Sequence, residues 1–302
     1  MSFVAIEFEP PPRRLALLIA NPATKGNIPT FVAAVRAAAP PDVDVWVRYT
    51  RRGDYPLADV ADIIEQADIL IAVGGDGTVA TVADLAMRTN LPLGIIPAGS
   101  TNIVARDLGI PHDPSSAARL IFGDHRKRPI DLGLCNDRWF LHMGGSGIDS
   151  KLFMATDQAK KRRYGWKAYL GPALRNLFGA SARYTLTTEY GSLSVVSPLI
   201  LVALGGSIIH PDLLIGSGIS RDDGLLDVFI FTPKGSTKVV DTGLRLISRQ
   251  LEASPYVTRI RCTELLLESD PPMPVEIDGD VTTHTPAKFS ITHLALDVIV
   301  PR

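Results

Sequence analysis

The strongest constraint on the fold is an alternation in the first third of the chain. Residues 15–20 form a continuous apolar run, and residues 43–47, 69–73 and 93–96 also read as strands. Between them, residues 28–38, 57–66 and 79–88 carry apolar positions at helical spacing. A strand–helix–strand series of this kind implies an α/β fold, with a parallel sheet covered on both faces. Ligands on such sheets bind outside the carboxyl ends of the strands.

Three of these strands end in polar, Gly-containing loops rather than plain turns. They are Asn21-Pro22-Ala23-Thr24-Lys25-Gly26, Gly74-Gly75-Asp76-Gly77-Thr78 and Pro97-Ala98-Gly99-Ser100-Thr101-Asn102. The middle one is the most informative. Its glycines let the backbone bend tightly and let a ligand approach main-chain N–H groups, which form a concavity suited to phosphate oxygens. The helix expected from Val79 would turn its positive end to the same anion. Asp76 is the odd member. A carboxylate beside phosphates is repulsive unless a cation or a proton lies between them, so the loop points to a polyphosphate with Mg²⁺ or to a hydroxyl being deprotonated. A plain strand–turn–helix connection is the alternative.

The pattern changes near Asp131. From Trp139 onward it is mostly strands separated by Gly, Ser and Thr turns, including 184–188, 199–204 and 225–231, which suggests a second, β-rich domain. A helical insert over about 152–178 carries Lys160-Lys161-Arg162-Arg163, and another helix is expected over 237–251. The domains are expected at 1–134 and 135–293, with a last strand at 294–300 returning to the first.

Composition narrows the function classes. With 302 residues, 46% hydrophobic and 21% charged, the chain can bury cores for two domains. A net charge of −1 gives no basic field for nucleic acid. Two cysteines, Cys135 and Cys262, make neither a disulfide framework nor a metal cluster, and a reducing cytoplasm is expected. The acidic, Pro-rich start has no apolar signal core. The longest apolar tract, 195–209, is broken by Ser197, Pro198, Gly205, Gly206 and Ser207 and reads as buried strand rather than a membrane span.

Taken in order, these motifs together with Asp131-Leu132-Gly133, Asp222-Asp223-Gly224-Leu225-Leu226-Asp227 and Asp278-Gly279-Asp280 resemble the diacylglycerol kinase catalytic family, which includes bacterial lipid kinases and the sphingosine and ceramide kinases. The resemblance covers residues 15–299. It implies an α/β nucleotide domain of the NAD kinase/diacylglycerol kinase kind, a β-sandwich-like second domain, and a site between them. By similarity, Asn21, Pro22, Ala23, Thr24, Lys25, Thr50, Gly74, Gly75, Asp76, Gly77, Thr78, Val79, Ala80, Thr81, Gly99, Ser100, Thr101 and Asn102 would bind ATP. Asp131 would join the polar network around the active-site metal. Ser220, Asp223 and the Leu225 carbonyl would hold a structural Mg²⁺, an oxygen-seeking cation, although an Asp-Asp-Gly hairpin turn would read the same way.

Two positions depart from the family pattern. Members commonly read Asp-Gly-Glu, with the glutamate taking the proton from the substrate hydroxyl. Here Asp280 is one methylene shorter, and a general base must lie within hydrogen-bond reach of its proton. Ile103 stands where many members have an aspartate, and it cannot ligate a metal. The implied reaction is transfer of the ATP γ-phosphoryl group to a lipid hydroxyl, most simply of diacylglycerol, by positioning and charge neutralisation. Asp76, Asp131 and Asp280 are the catalytic candidates. The Lys160 to Arg163 cluster, beside Tyr164 and Trp166, could face anionic headgroups, although a solvated helix face is the default. The first reading is a lipid kinase that visits the membrane from the cytoplasm, with a homodimer left open. His142, His210, His284 and His293 are scattered, and structural roles are expected for them. Two alternatives stand. One is a kinase of a soluble acceptor such as NAD⁺, for which Asn136-Asp137 offers a ribose-binding dipeptide. The other is a nucleotide-binding protein with little turnover.

Overall fold

Every residue of β1 (Arg14–Ala20) after Arg14 is buried, as a strand with helices on both faces requires. The computed structural model describes residues 13–22, 24, 27–50, 60–99, 101–147, 181–208 and 210–302, the side chains of 210–212 excepted. The expected insert over 152–178, with its basic cluster, lies outside these residues. After β1 come α1 (Ile28–Ala38), β2 (Val43–Tyr49), β3 (Ile69–Gly74), α2 (Asp76–Thr89), β4 (Leu93–Pro97), α3 (Ile103–Asp107) and α4 (Pro114–Phe122). Helix α1 buries Ile28, Phe31, Val32 and Val35, a single stripe at helical spacing. Asp113 caps α4 by accepting the Ser116 N–H at 2.8 Å, and Pro114 supplies a pre-set first residue. Of the helix expected over 57–66, the described part is a short 3₁₀ turn, Ile64–Gln66.

Strands β2, β1, β3 and β4 run parallel in that order. The sheet then continues through β18 (Ala287–Val300) into β15 (Glu264–Asp270), β8 (Ala182–Thr188) and β9 (Gly191–Ser197). The last strand is longer than the seven residues expected. Val298 pairs in parallel with Leu93 of β4, while residues 287–290 pair antiparallel with β15. Strand β5 (Arg126–Cys135) pairs with β18 along the edge opposite β15 and β4, antiparallel at both ends, with an irregularity between Thr292 and Leu296.

A second, antiparallel sheet is ordered β14 (Val257–Cys262), β13 (Leu226–Phe231), β10 (Leu199–Ala203), β7 (Met143–Ser146), β16 (Pro274–Ile277) and β17 (Asp280–His284). The tract 195–209 is therefore not one buried strand. It bends at Ser197-Pro198, leaving β9 on the exposed edge of the large sheet and sending β10 into the middle of the second. Ser197 fixes the bend, since its hydroxyl bonds the carbonyls of Phe231 and Leu199 and accepts the Leu199 N–H.

Strand alternation then builds two cores. Ile200, Val202, Leu226, Val228 and Ile230 face the large sheet and pack with Tyr184, Phe140 and Phe289, the last two edge to face at 6.1 Å. Leu199, Leu201, Phe229 and Phe231 point the other way, against α5 (Ser236–Ile247). That helix ends before the expected 251, because Arg249 adopts φ 58° and the Gln250 N–H returns to the Arg245 carbonyl at 2.7 Å. Cys135 and Cys262 are buried and unbridged, and burial pushes both thiols up to about 12.

Candidate active site

The strand order 2-1-3-4 reverses direction between β1 and β3, so a crevice opens at the carboxyl ends of these two strands. Asn21 and Gly75 sit at its lips. The Asn21 N–H reaches the Val73 carbonyl at 3.2 Å, the Thr24 N–H turns back to the Asn21 carbonyl at 3.0 Å, and the Thr50 N–H bonds the Ala20 carbonyl at 2.9 Å. The structure thus brings Asn21, Pro22, Thr24 and Thr50 to this edge, while Ala23, Lys25 and Ser100 lie outside the described residues.

Helix α2 begins at Asp76, three residues earlier than its spacing suggested. Gly75 is its N-cap, and the Val79 N–H bonds the Gly75 carbonyl at 3.0 Å. The early start follows from electrostatics, since a carboxylate in the first turn complements the helix N-terminus. Each glycine has its own reason. A Cβ on Gly99 would sit 2.5 Å from Gly75 Cα, backbone against backbone, so the second and third loops touch only because both residues lack side chains. A Cβ on Gly74 would run into Thr78, whereas one on Gly77 would meet open space. Thr78 and Val79 are buried, Val79 in the core of the first half, so only their main chain faces a ligand. Ala80 and Thr81 are half-buried, and the Thr81 hydroxyl bonds the Gly77 carbonyl at 2.9 Å.

Asp76 is aimed by the third loop. Its Oδ2 accepts the Thr101 hydroxyl at 2.9 Å, and its Oδ1 accepts the Val104 N–H of α3 at 3.3 Å. Asn102, left-handed at φ 48°, braces that loop by bonding both the N–H and the carbonyl of Gly99 at 2.8 and 2.9 Å. Its side chain therefore serves the loop. A carboxylate has about four lone-pair sites, two of them used here. Asp76 thus fits the usual Mg²⁺ arrangement of one or two carboxylates with the rest of the shell from water and substrate phosphates. Among the described residues no group of three His, Cys, Asp or Glu side chains is gathered for a metal, and Ile103 simply opens α3.

Asp131 is fully buried on β5 and committed to the protein. Its oxygens accept the N–H of Gly224 at 2.7 Å, the N–H of Leu294 at 2.7 Å and His293 Nδ1 at 2.8 Å. It ties the loop 220–225 to the irregularity in β18, where Leu294 has φ 50°. In that loop the side chains of Ser220 and Asp223 have protein partners. The Ser220 hydroxyl donates to Asp222, Asp223 Oδ2 is bonded to the Arg261 guanidinium, and Asp223 Oδ1 accepts the Leu225 N–H at 3.1 Å. Arg128 holds Asp222 at 2.9 Å, and Arg259 and Arg261 flank the buried Asp227 at 2.7 and 3.2 Å. Guanidinium groups thus supply positive charge around Asp222, Asp223 and Asp227.

Asp278-Gly279 forms the tight turn of the β16–β17 hairpin, with φ 48° and 95°. Two successive positive φ angles are what an Asp-Gly hairpin turn supplies. The Asp278 carboxylate is turned inward and accepts the N–H groups of Leu141, His142 and Met143 at 2.9, 3.0 and 3.1 Å. Burial pushes its pKa up, against the lowering by those three donors. Asp280 is placed differently. It is exposed and meets Arg138 at 3.5 Å. Asn136 turns the β5–β6 hairpin, β6 being Arg138–Phe140, at φ 54°, and its amide oxygen accepts the Lys288 N–H at 2.9 Å. Sequence reasoning missed Asp278, Asp107 and Arg221 and set His142 aside. The Asp-Gly dipeptide could have flagged the turn, but nothing local shows which backbone amides it caps.

The family profile described as Diacylglycerol kinase catalytic domain matches residues 15–135, and that described as YegS C-terminal NAD kinase beta sandwich-like domain matches residues 144–300. A Pseudomonas aeruginosa protein named "Probable lipid kinase YegS-like" is 30% identical over 283 residues, 88% of this chain and 89% of its own. A Mycobacterium tuberculosis protein named "Diacylglycerol kinase" is 29% identical over 250 residues, 80% of each chain. The fold matches the crystal structure of a diacylglycerol kinase from Bacillus anthracis with a TM-score of 0.73 at 22% identity, covering 94% of this chain and 96% of the other. A phosphate-loop crevice on a parallel sheet, joined to a sandwich that shares a strand with it, is thus matched along nearly its whole length, and the chain belongs to the diacylglycerol kinase catalytic family of lipid kinases.

Proposed function

We propose that this kinase transfers the γ-phosphoryl group of ATP to a hydroxyl of diacylglycerol or a closely related lipid presented by a membrane surface. The observation that carries the reading is the close approach of Gly75 and Gly99 at the N-terminus of α2, with Thr101 and α3 holding the Asp76 carboxylate beside it. Main-chain N–H groups from Gly75 to Thr78 cradle the phosphates, with Asn21, Thr24 and Thr50 along the opposite lip. Mg²⁺, held by Asp76 with the phosphates and water, would neutralise charge on the transferred group. Asp280 is exposed and its contact with Arg138 is long, which leaves it able to meet an acceptor hydroxyl as general base. Asp131 acts as a positioning residue through the loop 220–225. No helix among the described residues is long and apolar enough to cross a membrane.

The test supplies Mg-ATP with mixed micelles of diacylglycerol, monoacylglycerol, sphingoid base or ceramide, and NAD⁺ in solution, and follows labelled phosphate. Transfer to diacylglycerol or monoacylglycerol, abolished by Asp76→Ala, supports the reading. Transfer to NAD⁺ alone, or ATP binding with no acceptor labelled, overturns it.

A further inference from the structure

A buried polar cluster lies where α3 meets the sandwich, and the phosphate loops do not account for it. The Asp107 carboxylate accepts the Ser207 hydroxyl at 2.9 Å and Arg221 Nη2 at 2.7 Å. Arg221 is 5% exposed, and its Nη1 donates to the Leu141 carbonyl at 2.6 Å. Arg221 Nη2 also lies 3.1 Å from His142 Nδ1. Gly205 passes so close that a Cβ there would sit 2.7 Å from His142 Nδ1 and 2.9 Å from Asp107 Oδ2. The imidazole is therefore clamped on one side.

Its tautomer follows by elimination. A guanidinium has donors only, so Nδ1 must be the acceptor. Asp107 Oδ2, at 3.9 Å, is beyond hydrogen-bonding reach of Nδ1. The ring proton is then on Nε2. His142 is 8% exposed, and its Nε2 has no hydrogen-bond partner among the described residues. A buried N–H without an acceptor is rare in a folded protein and asks for a missing group. The backbone on either side of the ring is already tied to Asp278, and the imidazole feels the charges of Asp278 and Asp76, one from each half of the site.

We infer that His142 Nε2–H is a substrate donor that binds an oxygen of the phosphoryl group being transferred. This rests on ATP occupying the Gly75 crevice. The ring cannot serve as a base, because its lone pair is taken by Arg221. Accepting from a cation strengthens the donor on the far side of the ring, which suits an anionic oxygen better than a neutral one. That oxygen belongs to ATP before transfer and to the phosphorylated lipid afterwards.

The experiment uses the full chain labelled with ¹⁵N-histidine, with His142 assigned by its loss in His142→Asn. At pH 7 the free protein should carry its His142 proton on Nε2. Adding Mg²⁺ with β,γ-imido-ATP, or micelles of phosphorylated diacylglycerol in a separate arm, should move that resonance, and Mg-ADP should not. Whichever arm moves it identifies the state of the phosphoryl group that His142 holds. In titration calorimetry, His142→Phe should bind the imido analogue ~10-fold more weakly, with ADP changed less than ~2-fold, while His142→Asn, which keeps an acceptor for Arg221 and an N–H, stays within ~3-fold of wild type. A proton found on Nδ1, an equal response to ADP, or nucleotide binding with no response at His142 overturns the inference and leaves the crevice reading standing. If no nucleotide binds, both fall together. Should the Phe variant not fold, the wild-type resonances decide.

Discussion

The two halves of the site are held together by different means. Around Asp76 the structure is almost all backbone: strand ends, a helix N-terminus, and glycines that allow Gly75 and Gly99 to touch. Around Asp278 and the loop 220–227 it is side-chain charge, buried at Asp278 and Asp227 and partly exposed at Asp222 and Asp223, with carboxylates capped by amides or paired with Arg128, Arg259 and Arg261. In the proposed reading the backbone half takes up a polyanion through fixed N–H groups, beside one acid that keeps free lone pairs. The charged half is closed on itself. Apart from the buried Asp227 Oδ2, its carboxylate oxygens bond protein partners, while Asp280 is left at the surface.

This contrast can be broken by experiment. Asp76→Ala removes a group argued to act on the substrate and its cation and leaves only the Thr101 hydroxyl and the Val104 N–H without their acceptor, so kcat should fall ~10³-fold with a smaller loss of Tm than Asp278→Ala. A collapse of Tm instead would place Asp76 among the structural carboxylates. Gly99→Val forces a side chain onto Gly75 Cα and should weaken ATP binding ~10²-fold in calorimetry. Unchanged affinity would mean that the loops need not touch. Asp278→Ala should behave the opposite way to Asp76→Ala, losing about 3 kcal/mol in urea unfolding because three amides are left without their acceptor.

Smaller effects test the charge network. Chelation by EDTA should leave the Tm of the ligand-free protein within about 1 °C, because Arg261 and Arg128 already close the loop that resembles a Mg²⁺ site. A large drop would restore a cation at Ser220, Asp223 and Leu225. The pH dependence is subtler. Burial, and then the Arg221 guanidinium, lower the pKa of His142 from its ordinary 6.5, against Asp107, Asp278 and Asp76. The unfolded chain therefore takes up a proton first as pH falls below about 6.5, so stability should decline there. His142→Asn should flatten that part of the curve.

Local patterns were enough for the first half. The continuous apolar runs of β1, β3 and β4, the stripe of Ile28, Phe31, Val32 and Val35, and the Gly-rich strand ends are all set by near neighbours, and so was the crevice they make. The break of 195–209 at Ser197-Pro198 was visible as residues, but not as a change of sheet, since which strand pairs with which is decided by partners far along the chain.

Sequence by itself settled the order of motifs and with it the family, because backbone turns and phosphate loops require particular residues at particular spacings. Tertiary structure alone decided that Asp131 joins Gly224 to Leu294, that Arg261 answers Asp223, and that His142 is left with an unmet donor. Each of these depends on groups many residues apart meeting, at Asp131 and His142 away from water. In that setting a charge or an N–H must find its partner, and only the packed chain shows which partner it found.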